Sequence, residues 1–328
     1  MTHGVALIGA GRIGRIHAAN LAANTRIRLA RVVDPDQGAA AEIVARHGGS
    51  LSTLDDALAD PAIAGVVIAS ATDTHLDYTL RAAAAGKAVF CEKPFDQDLA
   101  RAQAAASRLP ADARVFLAFN RRFDPNFAAL RARLQAGAVG ALETLHIISH
   151  DPAPPPIDYV KVSGGIFKDM VIHDFDMARW LLDEEVSEVF ASTACLVDPL
   201  IGEAGDADTA KTILRTASGR LCMISSTRRS GYGYDQRIEA FGSKGMIRAG
   251  NVVETTLEQW GEAGAAADRF QNFFLDRYRD AYAREVAHFA DILDGAAPLV
   301  GVEDGVMALM LAEAASRSAR SGRFEPVR

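Results

Sequence analysis

The segment Ser163 to Leu182, SGGIFKDMVIHDFDMARWLL, carries two carboxylates and an imidazole, Asp169, His173 and Asp176, four and then three residues apart. At about 3.6 residues per turn these three share one stripe of a helix. Ile172, Met177 and Trp180 border that stripe on the helical wheel, which favours an enclosed space over bulk water. Three arrangements suit the set: a solvated face, a metal site using Asp169 and His173 with or without Asp176, or an acid/base pair. In the last, His173 exchanges a proton while Asp169, one turn earlier, orients the ring and stabilises its charged form. A further candidate lies in FCEKPF, where Lys93 follows an apolar run and Pro94 fixes the backbone just after it. An alcohol oxidised by a nicotinamide loses a hydride to the ring and a proton to a base, and Lys93, Asp169 and His173 together match that need. A lysine directed into the same pocket competes with a cation, so the set favours proton transfer, with no metal.

Such a reaction needs a cofactor, and the stretch ALIGAGRIG supplies a loop for one. Gly9, Gly11 and Gly14 form G-x-G-x-x-G between a predicted strand and a predicted helix. The first glycine permits the turn, the second lets a pyrophosphate approach the backbone, and the third allows close packing of helix on sheet. The phosphates then rest on the helix start at Arg12 and Ile13, where backbone N–H groups point outward. Asp34 closes the second apolar run about 20 residues later, the spacing of a carboxylate that accepts from ribose hydroxyls. That favours NAD, because Asp34 repels a 2′-phosphate and Pro35 brings no positive charge. Arg12 and Arg15 leave some acceptance of NADP open.

The elements that position these groups read as two domains. Through residue 120, the apolar runs GVALIG, RLARVVD, GVVIAS, AVFCEK and RVFLAFN alternate with Ala-rich amphipathic stretches. Continuously apolar strands joined through helices imply a doubly wound parallel sheet covered on both faces. Residues 121–328 differ: a helix at 126–135, the strand ALETLHIISH and a proline-rich loop precede the Asp169 helix. Then come VSEVFASTACLV, TAKTILRTA, GRLCMISSTRR and YDQRIEAFG, separated by turn residues, and two closing helices near 278–294 and 302–317. Successive strands of this kind imply an α+β domain on a mixed or antiparallel sheet.

Composition narrows the function classes. The 328 residues carry a net charge of −7 with no basic cluster, which argues against a nucleic-acid partner. No apolar run approaches the ~18 to 20 residues of a membrane span, and the amino terminus lacks a signal-peptide pattern. Cys91, Cys195 and Cys222 are odd in number and lie in apolar contexts, as buried reduced thiols would in a cytoplasmic protein.

GAGRIG, EKP and GGIFKDMVIHDFDMARWL together resemble the glucose–fructose oxidoreductase, inositol dehydrogenase and rhizopine catabolism family, over nearly the whole chain. The resemblance implies a Rossmann domain followed by an α+β domain on a large open sheet. It also implies assembly as a dimer or tetramer through those sheets. It places the family's lysine on Lys93 and its Asp-x-x-x-His pair on Asp169 and His173. Thr72 and His75 in SATDTHLDY resemble the loop against the nicotinamide, and Glu92 and Lys93 of EKP lie beside the cofactor. NRRFDPNF, DPAPPPIDYVKVSGGIF, IGEAGDADTA and GYDQRIEAFGSKGM are similar to the inositol-oxidising branch. That implies NAD-dependent oxidation of myo-inositol to its 2-keto product, or of scyllo-inositol, another isomer or a pyranose by the same residues. Arg122 and Tyr232 or Tyr234 then line the polyol site, with strand alternation placing both tyrosines on one face. The plainer reading pairs Arg122 with Asp124. A cofactor-binding regulator without turnover is the rival from another class, and it would be expected to lose Lys93 or His173, which are both present.

Overall fold

The structure, a computed structural model, describes residues 2–328. Two compact units divide the chain: residues through Phe123 with Ala281–Leu309, and Asp124–Asp280 with Met310–Arg328.

The first unit is built on six parallel strands: β1 His3–Ile8, β2 Ile27–Val33, β3 Ser50–Leu51, β4 Ile63–Ile68, β5 Ala88–Glu92 and β6 Val115–Ala118. They lie in the order β3-β2-β1-β4-β5-β6, the doubly wound dinucleotide-binding order, with its reversal between β1 and β4. β1, β4 and β5 are buried almost throughout, as both-face coverage by helices requires. One covering helix comes from far along the chain, Arg279–Leu293. At Gly65 a Cβ would come within 2.8 Å of Phe289 and 2.9 Å of Leu293, so the glycine sets how closely this helix approaches β4. Phe90 meets Phe116 and Phe289 edge-on at 4.8 and 5.6 Å. Each such pair adds about 0.5–1.5 kcal/mol beyond its area burial.

The second unit carries a seven-stranded sheet. Its strands are β7 Leu142–His150, β8 Val186–Ala194, β9 Thr209–Thr216, β10 Leu221–Thr227, β11 Asp235–Gly242 and β12 Gly245–Ala249. A short hairpin of its own follows, β13 Glu258–Gly261 and β14 Gly264–Ala267, and β15 Glu325–Pro326 completes the sheet. The order is β12-β11-β7-β10-β9-β8-β15, antiparallel except for β7 and β10. This is the mostly antiparallel open sheet expected from the sequence. β9 shows why one face is open: Ala210, Thr212, Leu214 and Thr216 are buried while Lys211, Ile213 and Arg215 between them are exposed. The helix Ile172–Leu182 packs over β7 on the buried side.

Candidate active site

In the first unit the glycine loop has the geometry its sequence predicts. Gly9 adopts φ +106°, and a Cβ there would lie 2.4 Å from the Ala69 carbonyl oxygen. At Gly14 a Cβ would meet the Gly9 carbonyl oxygen at 2.0 Å, so only glycine lets the helix Arg12–Ala23 start this close to β1. Gly11 is the opposite case, with no atom within 4 Å of a Cβ position, which leaves its backbone open to a ligand. Gly11 caps the helix with no side chain, and no acidic residue lies in the first turn. The positive end of the dipole therefore remains available to a pyrophosphate beside Arg12 and Ile13. Asp34, at the end of β2, takes the Ala10 N–H on Oδ2 at 2.6 Å and the Asp36 N–H on Oδ1 at 2.8 Å. Each carboxylate oxygen retains a second acceptor site for a ribose hydroxyl. These residues fit a dinucleotide.

β5 ends at Glu92, directly before Lys93, and two braces hold this end of the sheet. His17, on the helix that the glycine loop opens, donates to Glu92 Oε1 at 2.7 Å and is fully buried. The Lys93 backbone N–H donates to Glu92 Oε2 at 3.3 Å. Glu285 is buried without a hydrogen bond on either oxygen among the described residues; desolvation, with Glu92 nearby, pushes its carboxyl well above the carboxylate range. His75 is the second brace. At 2% exposure, its Nδ1 donates to the Pro94 carbonyl at 2.8 Å and its Nε2 to the Ser70 carbonyl at 3.1 Å. Both nitrogens are thereby engaged, so His75 ties the lysine loop to the start of the helix Thr72–Ala84. Thr72 is half-buried at that helix start.

Two carbonyl acceptors select the doubly protonated ring. Burial pushes His75 down, but Cys91 and the two carbonyls outweigh it and hold its pKa at about 9, against 6.5 ordinarily. Since the folded value is the higher, this stabilisation is complete below 6.5 and disappears as pH rises through about 9. A shift of that size corresponds to about 3 kcal/mol. Thermal unfolding should therefore show wild type losing more stability than His75→Leu between neutral and alkaline pH. Parallel curves would contradict the charged assignment.

Arg122 does not pair with Asp124. Its Nη2 donates to Asp304 at 2.8 Å, and Asp124 instead takes Arg277. The reason is local: Asp124 caps the helix Pro125–Gln135, accepting from the Asn126 and Phe127 N–H groups at 3.0 and 3.1 Å.

In the second unit the stripe is not one regular helix. Phe167–Val171 forms a π-helical turn, and the α-helix begins at Ile172. Asp169 lies in the wide turn and His173 at the start of the regular helix, both half-buried, while Asp176 is fully buried. The π turn widens the helix around Asp169, so the three side chains are not spaced as on one regular α-helix. Asp169 is held at both oxygens: Tyr159 donates to Oδ1 at 2.7 Å and Arg228 Nη1 to Oδ2 at 3.2 Å. Among the described residues, no three His, Cys, Asp or Glu side chains stand close enough to hold a metal ion.

Tyr232 and Tyr234 do not share a face. They precede β11, and Gly233 at φ +117° breaks the strand alternation between them. Tyr234 is 6% exposed, edge-on to Tyr278 at 6.0 Å. Tyr232 is 55% exposed, donates to Asp235 at 2.9 Å and lines a cleft of about 760 Å³ with Arg237, Arg248 and Phe270. His150, missed in the sequence, stands 3.4 Å from the Tyr232 hydroxyl and 2.9 Å from Ser225 Oγ. Burial, against Asp235, lowers its pKa and favours the neutral ring. Its position as the last residue of β7, level with Asp235, was the available signal.

Family models cover both units: an oxidoreductase family with an NAD-binding Rossmann fold over residues 3–118, and the GFO/IDH/MocA C-terminal domain over residues 127–248. The chain belongs to the GFO/IDH/MocA oxidoreductases. It is an NAD-dependent dehydrogenase, as the glycine loop and Asp34 lead one to expect. It is 46% identical to an inositol 2-dehydrogenase of Rhizobium meliloti (strain 1021), over 98% of this chain and 98% of that protein. A myo-inositol 2-dehydrogenase of Thermotoga maritima is also 46% identical, over 97% of each chain. The crystal structure of a myo-inositol dehydrogenase from Corynebacterium glutamicum ATCC 13032 superposes with a TM-score of 0.96 at 43% identity, covering 100% of this chain and 99% of that one.

Proposed function

We propose that this chain oxidises the carbon-2 hydroxyl of myo-inositol to the ketone with NAD as acceptor. The observation that carries this reading is the 46% identity, over nearly the full length, to an inositol 2-dehydrogenase and a myo-inositol 2-dehydrogenase. When bound, NAD supplies the hydride acceptor, held by Gly9, Gly11, Gly14 and Asp34. His173 takes the hydroxyl proton, Asp169 steadies the imidazolium that forms, and Lys93 hydrogen-bonds the same oxygen as it becomes a carbonyl. A polyol offers no charge to clamp, so recognition falls to directional donors and acceptors, and one buried hydroxyl left unpaired costs about 1–3 kcal/mol. Tyr232, and Arg122 anchored by Asp304, serve as polyol contacts in this reading.

Rates of NAD reduction across myo-inositol, scyllo-inositol, other isomers and glucose, repeated with NADP, test it. The expected result is the highest kcat/KM with myo-inositol and NAD. A higher value for scyllo-inositol or an aldose displaces the substrate assignment, and tight NAD binding with no reduction of any kind points to a regulator.

The same reading makes the enzyme a cytoplasmic homo-oligomer, a dimer or tetramer. Supporting the compartment, the three cysteines are free thiols; Cys91 and Cys222 are buried as expected, whereas Cys195 is exposed. Supporting the assembly, Ile213, Leu221, Met223, Phe241 and Met246 lie exposed on the open sheet face, an apolar surface of the kind that marks contact sites. Met223→Glu should lower the sedimentation mass relative to wild type, and an unchanged mass would place the contact elsewhere.

A further inference from the structure

Arg228, immediately after β10, is among the largest side chains removed from solvent, at 1% exposure. Its Nη1 reaches Asp169 Oδ2 at 3.2 Å, and its Nη2 stands 3.6 Å from Asp206 Oδ2. Its own backbone N–H donates to the Asp208 carbonyl at 2.8 Å, which fixes the strand end against the 206–208 segment. Asp206 turns Oδ1 to the Ile166 N–H at 2.9 Å and lies over Gly165, where a Cβ would meet that oxygen at 3.1 Å. A buried guanidinium thus lies between two carboxylates. One pins the turn that opens the Asp169 segment, and the other is Asp169 itself.

Other groups also surround Asp169. The Tyr159 hydroxyl donates from the helix Ile157–Val160. Lys168, next in the chain, is drawn to Glu313 at 2.6 Å, and His173 follows four residues later. Arg228 brings to Asp169 a cation that is rigid, desolvated and supplied from another element.

We propose that Arg228 is a positioning residue of the dehydrogenation: it holds the Asp169 carboxylate in one orientation and, as a buried cation beside it, sets the field in which His173 accepts the substrate proton. This rests on the assignment of Asp169 and His173 as the proton-transfer pair. A buried cation beside a carboxylate offsets part of its field, and burial strengthens the effect. With the guanidinium gone, the field of Asp169 is no longer offset and holds the His173 imidazolium to higher pH. That moves the acid limb of activity upward.

The test uses the full-length enzyme with myo-inositol and saturating NAD, recording kcat and kcat/KM against pH. Arg228→Met should lower neutral-pH kcat and shift the acid limb upward by about one pH unit or more, with the KM for NAD unchanged. Arg228→Lys should bring the limb most of the way back. Asp206→Asn keeps the acceptor for the Ile166 N–H while removing a negative charge, so it should move the limb downward. A merely structural arginine predicts the same fractional loss at every pH and an unmoved limb, which would overturn the proposal. If Arg228→Met does not fold, Asp206→Asn decides: a downward shift supports the proposal and no shift overturns it. Asp169→Asn separates the two layers. Near-normal turnover there removes the underlying assignment, whereas an inactive Asp169→Asn beside unmoved limbs removes only the role of Arg228.

Discussion

His173→Asn and Lys93→Met should each lower kcat with myo-inositol by a factor of about 10² to 10⁴, the usual contribution of a positioned acid or base. The two losses should differ in form. Asparagine at 173 cannot take a proton, so its residual rate should rise with hydroxide concentration and lack the limb that belongs to a titrating base. Methionine at 93 preserves length and apolar bulk but removes the donor to the reacting oxygen, so the loss should fall on kcat more than on the KM for inositol. His173→Asn leaves Gly9, Gly14, Asp34 and Lys93 in place, and its NAD binding by fluorescence titration should remain near wild type. If both variants turn over at near-normal rates, the acid/base set is misassigned.

The largest loss of stability should come from Asp124→Ala. Asp124 and Arg277 are each 1% exposed, and the arginine also lies over the Phe127 ring at 5.3 Å and the Tyr278 ring at 4.9 Å. Removing one partner of a buried pair strands the other charge away from water, at a cost of about 3–5 kcal/mol. The lost helix cap adds about 1 kcal/mol. For a protein of this size that is a fall in Tm on the order of 10 °C. Asp124→Asn retains the cap and loses only the charge, so it should fall between wild type and alanine in denaturant unfolding. Equal stability of all three proteins would show that the pair contributes nothing net.

What was legible in the sequence was local. The glycine loop, Asp34 and the lysine after β5 each depend on a strand, a turn and a helix start within a few tens of residues, and each falls where periodicity places it. The alternation of apolar runs with Ala-rich helices likewise gave the parallel sheet, and the closely spaced later strands gave the mixed one. Partners brought in from a distance were not legible. Arg277 lies 153 residues from Asp124, Asp304 lies 182 from Arg122, and His17 lies 75 from Glu92. No local spacing marks such pairs, and a plausible neighbour, Asp124 for Arg122, was the wrong one. The π turn at Phe167–Val171 escaped for another reason: it leaves the residue types unchanged and alters only which carbonyl each N–H reaches. At Tyr232 and Tyr234 a single left-handed glycine overturned the alternation that would have made them equivalent.

Oxidation of myo-inositol carrying deuterium at carbon 2, with the reduced cofactor isolated and its mass measured, tests direct hydride transfer most plainly. Deuterium should appear in the NADH, and kcat should be slower than with the protiated substrate wherever the chemical step limits turnover. NADH free of the label, or no reduced cofactor at all, would contradict transfer from that carbon and with it the activity assigned to this chain.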